Sequence, residues 1–402
     1  MPTVLIVGTL DTKGDELGFA AQRMRDAGVD VIVADAGTAG PPHGVEPDVS
    51  AAELAGEVGA DLATLDDRGR AVGTMADAAA ALAARLHGEG RIDGVFGAGG
   101  SGNTTIATAA MRALPVGVPK LVVSTMAAGD TAVYVGGSDI TMMASVTDVA
   151  GLNSISARIL ANAAAAMTGM VGAAPVDLGE TRPLIGATMF GVTTPCVTRA
   201  REQLEARGYE VLVFHATGTG GKAMEALVDG GFLAGVLDTT TTELCDDLVG
   251  GVLSAGPDRL EAAGAAGVPQ VVSVGALDMV NFGARDTVPP QFEDRNLYVH
   301  NPTITLMRTT PDECAELGRR IARKLSAATG PTALFIPRGG VSMIAVEGGP
   351  FHDPEADAAL FEALRAGIGD NVELVEREED INAEAFADAM VEQLDAYVKG
   401  SR

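Results

Sequence analysis

With 402 residues, 47% of them apolar, the chain has material for two or three domains and a sizeable core. Its net charge of −26 excludes bulk affinity for nucleic acid or an anionic membrane surface, because their phosphates would be repelled. Three cysteines, Cys196, Cys245 and Cys314, lie far apart and offer neither a disulfide framework nor a zinc-ligand spacing, so a reduced, cytoplasmic setting is expected.

The first residues, MPTVLIVGTLDTKGDE, lack a cationic n-region and enter an apolar run at once, so no signal peptide is expected. VLIVGT (4–9) leads into a helical segment beginning at DELGFAAQ and then into VDVIVADAG (29–37). A helix over 76–90 precedes GVFGAGG (94–100), a helix beginning at TTIATAAM (104–111) and KLVVST (120–125). These β-rich runs are continuous rather than alternating, as strands buried on both faces should be. ILANAAAAMTGMVGAAP (159–175) is mostly Ala and Gly, which predicts a packed helix rather than a membrane span.

After Gly, Ala and Pro collect near 172–183, the pattern restarts. LIGATMFG (184–191), a helix over 197–208, YEVLVFHATGTGG (209–221), FLAGVLDTTTTE (232–243), VPQVVSVGALDM (268–279), TALFIPRGGVS (332–342) and NVELVERE (371–378) follow, with helices between and after several of them. Strand, helix, strand implies βαβ units. The fold class is α/β: two Rossmann-like, doubly wound domains with mainly parallel sheets and an interdomain cleft, at 1–178 and 179–402.

Loops after strands are where such sheets bind ligands. GAGGSGNTT (97–105) runs from a strand into a helix, whose first amides are unpaired and favour an anion. Gly97, Gly99, Gly100, Ser101, Gly102, Asn103 and Thr104 are therefore candidate phosphate ligands; the alternative is a turn that binds nothing. HATGTGGKAMEALV (215–228) repeats the theme with Gly218, Gly220, Gly221 and Lys222. A cation at a helix N-terminus is unfavourable unless an anion lies between, or it is simply exposed. In GTLDTKGDE, a carboxylate could hold Mg²⁺ against phosphates, or Asp15 could cap the next helix. In DTTTTELCDD, Glu243 is a candidate general base or a capping-box residue. His300, beside Asn301 and near Arg295 and Arg308, is a candidate proton carrier with arginine clamps, or a structural loop histidine. Arg338 stands on a further glycine turn. No HExxH, CxxC pair or GxSxG is present.

Several stretches in one order, GTLDTKGDE, GAGGSGNTT, GTGGKAMEALV, LDTTTTELCDDLVGGVLSAGPDRLEAA, VSVGALDMVNFG, HNPTITLMRTT and PRGGVSMIAVEGGPFHDPEADAALFEAL, resemble the ATP-binding domain family of the tomato mosaic virus resistance protein. The resemblance spans essentially the whole chain. It implies two Rossmann-like domains, ATP bound with Mg²⁺, and a homodimer. The chain ends at Arg402 after one helix, so the barrel domain fused to the plant member is not expected. The leading expectation is an ATP-binding protein that could act as an enzyme on a small anionic metabolite, with Glu243, His300 and Arg308 as its catalytic side chains. The alternatives are a nucleotide-binding protein without catalysis, and an enzyme that uses the glycine loops for a phosphorylated substrate without ATP.

Overall fold

The structure is a computed structural model describing residues 1–64, 67–174 and 181–401. Its internal contacts divide the chain into two compact units, Met1–Asp177 and Leu178–Arg402. The Gly, Ala and Pro junction expected near 172–183, with its 178/179 boundary, lies partly outside the described residues.

The first unit carries β1 (Thr3–Gly8), α1 (Leu10–Asp26), β2 (Asp30–Asp35), α2 (Ala51–Gly56), α3 (Arg68–Gly88), β3 (Gly94–Gly99), α4 (Ser101–Arg112), β4 (Lys120–Ser124), α5 (Ala132–Val135), β5 (Thr141–Ala144) and α6 (Ser156–Gly172). All pairings in its sheet are parallel, in the order β2-β1-β3-β4-β5. Alternate residues of a strand serve opposite faces. Leu5 and Val7 pack with α2, α3 and α4, while Val4 and Ile6 pack with α1 and α6. Burial on both faces explains why these strands read as unbroken apolar runs. After β2 the chain crosses back over β1 to lay down β3, so the order reverses between β1 and β3. A doubly wound sheet opens its ligand crevice at such a reversal, outside the carboxyl ends of the strands.

The second unit carries β6 (Leu184–Met189), α7 (Thr194–Ala206), β7 (Glu210–His215), α8 (Thr219–Asp229), β8 (Leu233–Thr240), α9 (Glu243–Val249), α10 (Ala262–Ala265), β9 (Gln270–Gly275), β10 (Met279–Phe282), β11 (Leu297–Asn301), β12 (Ile304–Arg308), α11 (Pro311–Ser326), β13 (Thr332–Pro337), α12 (Pro354–Gly367), β14 (Val372–Arg377) and α13 (Glu384–Gly400). Its main sheet is parallel, in the order β14-β13-β9-β8-β6-β7, and reverses between β6 and β8. Helices α7 and α13 cover one face, and α9, α11 and α12 contribute to the core on the other. A small antiparallel sheet, β10-β12-β11, is added from residues 279–308. His300 and Arg308, expected in loops near strand ends, instead stand on the two strands of a hairpin. Among the described residues no helix is long and apolar enough to cross a membrane.

Candidate phosphate-binding site

Helix α4 begins at Ser101, three residues earlier than the sequence pattern suggested, with Gly100 as its N-cap and no capping side chain. Its first internal bond runs from the Thr104 amide to the Gly100 carbonyl, at 2.9 Å. The amides of Ser101, Gly102 and Asn103 therefore find no acceptor among the described residues. Helix geometry turns such amides back toward the N-terminal end. There, Gly100, Ser101, Gly102 and Asn103 line a cavity of about 630 Å³ with Thr9, Thr12 and Thr38, at the β1/β3 reversal.

The glycines of this loop divide into two kinds. A Cβ on Gly97 would stand 2.4 Å from Ala107 Cβ, and one on Gly99 would stand 2.7 Å from Asn103 Cβ, so internal packing requires both. Gly100 and Gly102 are different. A Cβ there would meet nothing nearer than Thr125 Oγ1 at 3.9 Å and Val72 Cγ2 at 3.7 Å respectively, and neither has a positive φ. The fold does not need glycine at these two positions, yet both face the cavity.

Asn103 and Thr104, which looked like ligand donors, are turned inward. The Asn103 side chain accepts from the Thr9 amide at 2.9 Å and donates to the Ala98 carbonyl, tying the β1 and β3 loops together. The Thr104 hydroxyl is buried, 2.8 Å from the Gly100 carbonyl and 2.7 Å from the Ser124 hydroxyl. Of the predicted side chains only Ser101 reaches the cavity without such an engagement. Charge of both signs completes the wall, through Lys13, Arg68, Asp11 and Asp148. The Lys13 ammonium donates to the Val149 carbonyl, and Asp11 accepts from the Ala39 amide at 2.8 Å.

Helix α1 begins at Leu10 rather than near Asp15, so Asp15 is not its cap. Its Leu10 amide is instead taken by Asp35 at 3.0 Å, from the end of β2. Burial pushes the Asp35 carboxyl up, against the pull of the Gly37 and Leu10 amides. One helix start at this crevice is thus filled by the chain's own carboxylate, while α4 beside it is not.

The second glycine loop is filled in the same manner. Gly218 caps α8 with φ 85°. Glu243 Oε1 accepts from the amides of Gly218 and Gly221 at 2.7 and 3.1 Å, while its Oε2 accepts from Arg259 Nε at 2.6 Å. The anion that the loop attracts is therefore internal. A Cβ on Gly221 would stand 2.2 Å from Glu243 Oε2, and one on Gly220 would stand 1.9 Å from the His215 carbonyl oxygen. Packing thus accounts for both glycines. Lys222 is exposed. Glu243 is neither a capping-box residue nor open to solvent, since it is fully buried behind Thr242, a cap without a side-chain bond. Arg259, also buried, forks onto Asp238 at 2.6 and 2.7 Å, and Asp238 accepts from Thr188 at 2.7 Å. Glu225 stands 4.0 Å from the same guanidinium. Burial raises its carboxyl to about 7, against the opposing effect of Arg259. This network, in which Arg259 and Glu225 join the Asp238 and Glu243 of the DTTTTELCDD stretch, occupies the β6/β8 reversal.

Residues 2–175 match the description "Uncharacterised protein family (UPF0261) N-terminal domain", and residues 182–398 match its C-terminal domain. The chain belongs to the UPF0261 family. It is 53% identical to a UPF0261 protein of Clostridium tetani over 97% of this chain and 98% of that one. It is 40% identical to the ToMV resistance protein Tm-1(GCR237) of Solanum lycopersicum over 97% of this chain but only 55% of the tomato protein. Among solved structures, the UDP-N-acetylglucosamine 2-epimerase of Rickettsia bellii aligns with 67% of this chain and 78% of its own, at 12% identity and a TM-score of 0.24, too low to carry any argument.

The remaining predicted residues of this UPF0261 chain lie in its second unit. Arg308 is buried and saturated: it donates to Asp357 at 2.5 Å, to the Phe351 carbonyl at 2.9 Å and to the Thr309 hydroxyl at 2.8 Å. Arg295 forks onto Glu313 at 3.0 and 2.7 Å, and Arg338 pairs with Glu378 at 2.5 Å. His300 is exposed on β11, and the fold does not gather it with Glu243 and Arg308 into one cluster of contacts. A larger hollow of about 1040 Å³ is lined by Leu184, Tyr209, Glu210 and Leu233, at the amino ends of β6, β7 and β8. That is the end of a parallel sheet opposite to the one where ligands bind.

Proposed function

We propose that the N-terminal domain binds a nucleotide, ATP in the first instance, through its phosphates at the start of α4. One observation carries the reading: amides without acceptors open into a cavity beside Gly100 and Gly102, two glycines that the fold does not require. Unpaired amides and the helix dipole favour an anion, and the missing side chains let phosphate oxygens reach the backbone. Lys13 and Arg68 on the cavity wall add positive charge in a strongly acidic protein. A cavity of about 630 Å³ is in the range of small-molecule sites.

A carboxylate fits a magnesium role. Mg²⁺ binds through one or two carboxylates together with phosphate oxygens. Asp11 on the cavity wall would hold it. No group of three or more His, Cys, Asp or Glu side chains able to hold a metal occurs among the described residues, so the ion would arrive with the phosphates. Bound there, Mg²⁺ would neutralise phosphate charge.

Glu243 and Arg308 lend no support to catalysis at this cavity, because each is engaged by internal partners in the second unit. Titration calorimetry with ATP, with and without Mg²⁺, tests the reading. Binding strengthened by Mg²⁺, with phosphate release at background, is expected. An absence of heat up to millimolar ATP, or steady hydrolysis abolished by Glu243→Gln in a folded protein, would end the respective half.

A further inference from the structure

A second hollow of about 380 Å³ opens over the carboxyl ends of β4 and β5, walled by Thr125, Ala128, Ala144, Ser145, Val146 and Asp148 among others. Two observations join it to the α4 cavity. Asp148 lines both. A Cβ built on Gly100, in the first cavity, would have Thr125 Oγ1 in the second as its neighbour at 3.9 Å. A molecule seated on α4 can thus extend past Gly100 into the second hollow without leaving the unit.

The chemistry of this extension follows from which groups are engaged. The Ser124 hydroxyl is held by Thr104 and by the Met126 amide, and the Ser145 hydroxyl donates to the Thr147 carbonyl at 2.7 Å. The Thr125 hydroxyl and the Asp148 carboxylate have no protein partner among the described residues. Asp148 is nonetheless held in place, because its neighbours are anchored to α1. Val149 accepts from Lys13, and the Gly151 amide donates to the buried Glu16 at 2.6 Å. Ala128, Ala144 and Val146 supply hydrocarbon around these two polar groups. Val146 has φ 63° and is 80% exposed, a β-branched residue in the left-handed region showing its side chain to water. Such outliers are sparsely tolerated and gather at functional sites. A carboxylate acceptor repels an anion, and a hydroxyl beside it both donates and accepts. Together with the apolar rim, the pair suits a sugar ring, which has carbon faces and a hydroxyl edge.

Resting on the phosphate reading above, we infer that the second hollow is a sugar subsite: the ligand whose phosphate sits on α4 carries a hydroxylated ring bound by Asp148 and Thr125. Calorimetry with inorganic phosphate and with ribose 5-phosphate tests this on the full chain. Ribose 5-phosphate should bind the unmodified protein about tenfold tighter than phosphate, the scale of one hydrogen bond to a charged group. Asp148→Ala should lose about that factor for ribose 5-phosphate. The same substitution should leave inorganic phosphate unchanged or slightly tighter, since it removes a negative charge. Thr125→Val should shift ribose 5-phosphate in the same direction. Equal affinity for the two probes, or equal weakening of both by Asp148→Ala, would overturn the subsite and leave the phosphate reading standing. Failure of both probes to bind the unmodified protein would overturn the phosphate reading and the subsite with it.

Discussion

Gly102→Ala separates a glycine kept for the fold from one kept for a ligand. Gly102 lies in the first turn of α4, where the new methyl would stand 3.7 Å from Val72 Cγ2, an ordinary contact. Alanine is favoured over glycine in a helix by up to about 1 kcal/mol. The ligand-free variant should therefore be as stable as the parent or more so, by up to roughly 2–4 °C in Tm for a domain of this size. On the proposed reading, the same methyl, on the wall of the α4 cavity, would hold phosphate oxygens away from the amides. A tenfold loss of affinity is the least expected. With ATP and Mg²⁺ at about 100 times the parental Kd, ligand stabilisation would fall from about 2.7 to about 1.4 kcal/mol. Thermal melts with and without ligand, backed by calorimetry, read both effects at once. A variant that binds as the parent does, or one destabilised without ligand, would refute the reasoning.

Two further outcomes concern the second domain. Burial raises the carboxyls of Glu225 and Asp246 to about 7 and that of Asp278 to about 6. The folded chain therefore keeps protons that the unfolded chain releases near the ordinary carboxylate range. Stability contributed by these groups is present at low pH and is lost as pH rises toward 7. The urea midpoint should fall between about pH 5 and 7.5, and Glu225→Gln should flatten that slope, by at most about 1.4 kcal/mol per pH unit for one proton. Glu243→Ala leaves Arg259 under-compensated and strips the Gly218 and Gly221 amides of their acceptor. It should cost about 3–5 kcal/mol in chemical denaturation while phosphate affinity at α4 stays unchanged.

Much of the fold was legible in the chain because its signals are local. The continuous apolar runs became β1 to β4 and β6 to β9, and the glycines after helices mark their exits. Helix starts were less legible, because the groups that satisfy them come from elsewhere in the chain. Asp35 takes the Leu10 amide from 25 residues away, so α1 begins ahead of Asp15. The hairpin at 297–308 was less legible because its two strands have only five residues each and His300, Asn301 and Pro302 between their apolar residues read as a loop. Arg259 sits in a stretch of turn residues, and its partners Asp238 and Glu243 lie 21 and 16 residues away, so nothing nearby announces it.

What the sequence determined by itself is the α/β class, the restart of the pattern in a second half, and two glycine loops that each run from a strand into a helix. What only the tertiary structure decided is which loop is filled. Glu243, brought in through β8, occupies the amides of α8, whereas among the described residues no side chain accepts from those at the start of α4. The two loops look alike along the chain because their glycines and helix starts are local features. They differ in space because an acceptor is supplied by long-range packing, which local sequence does not encode.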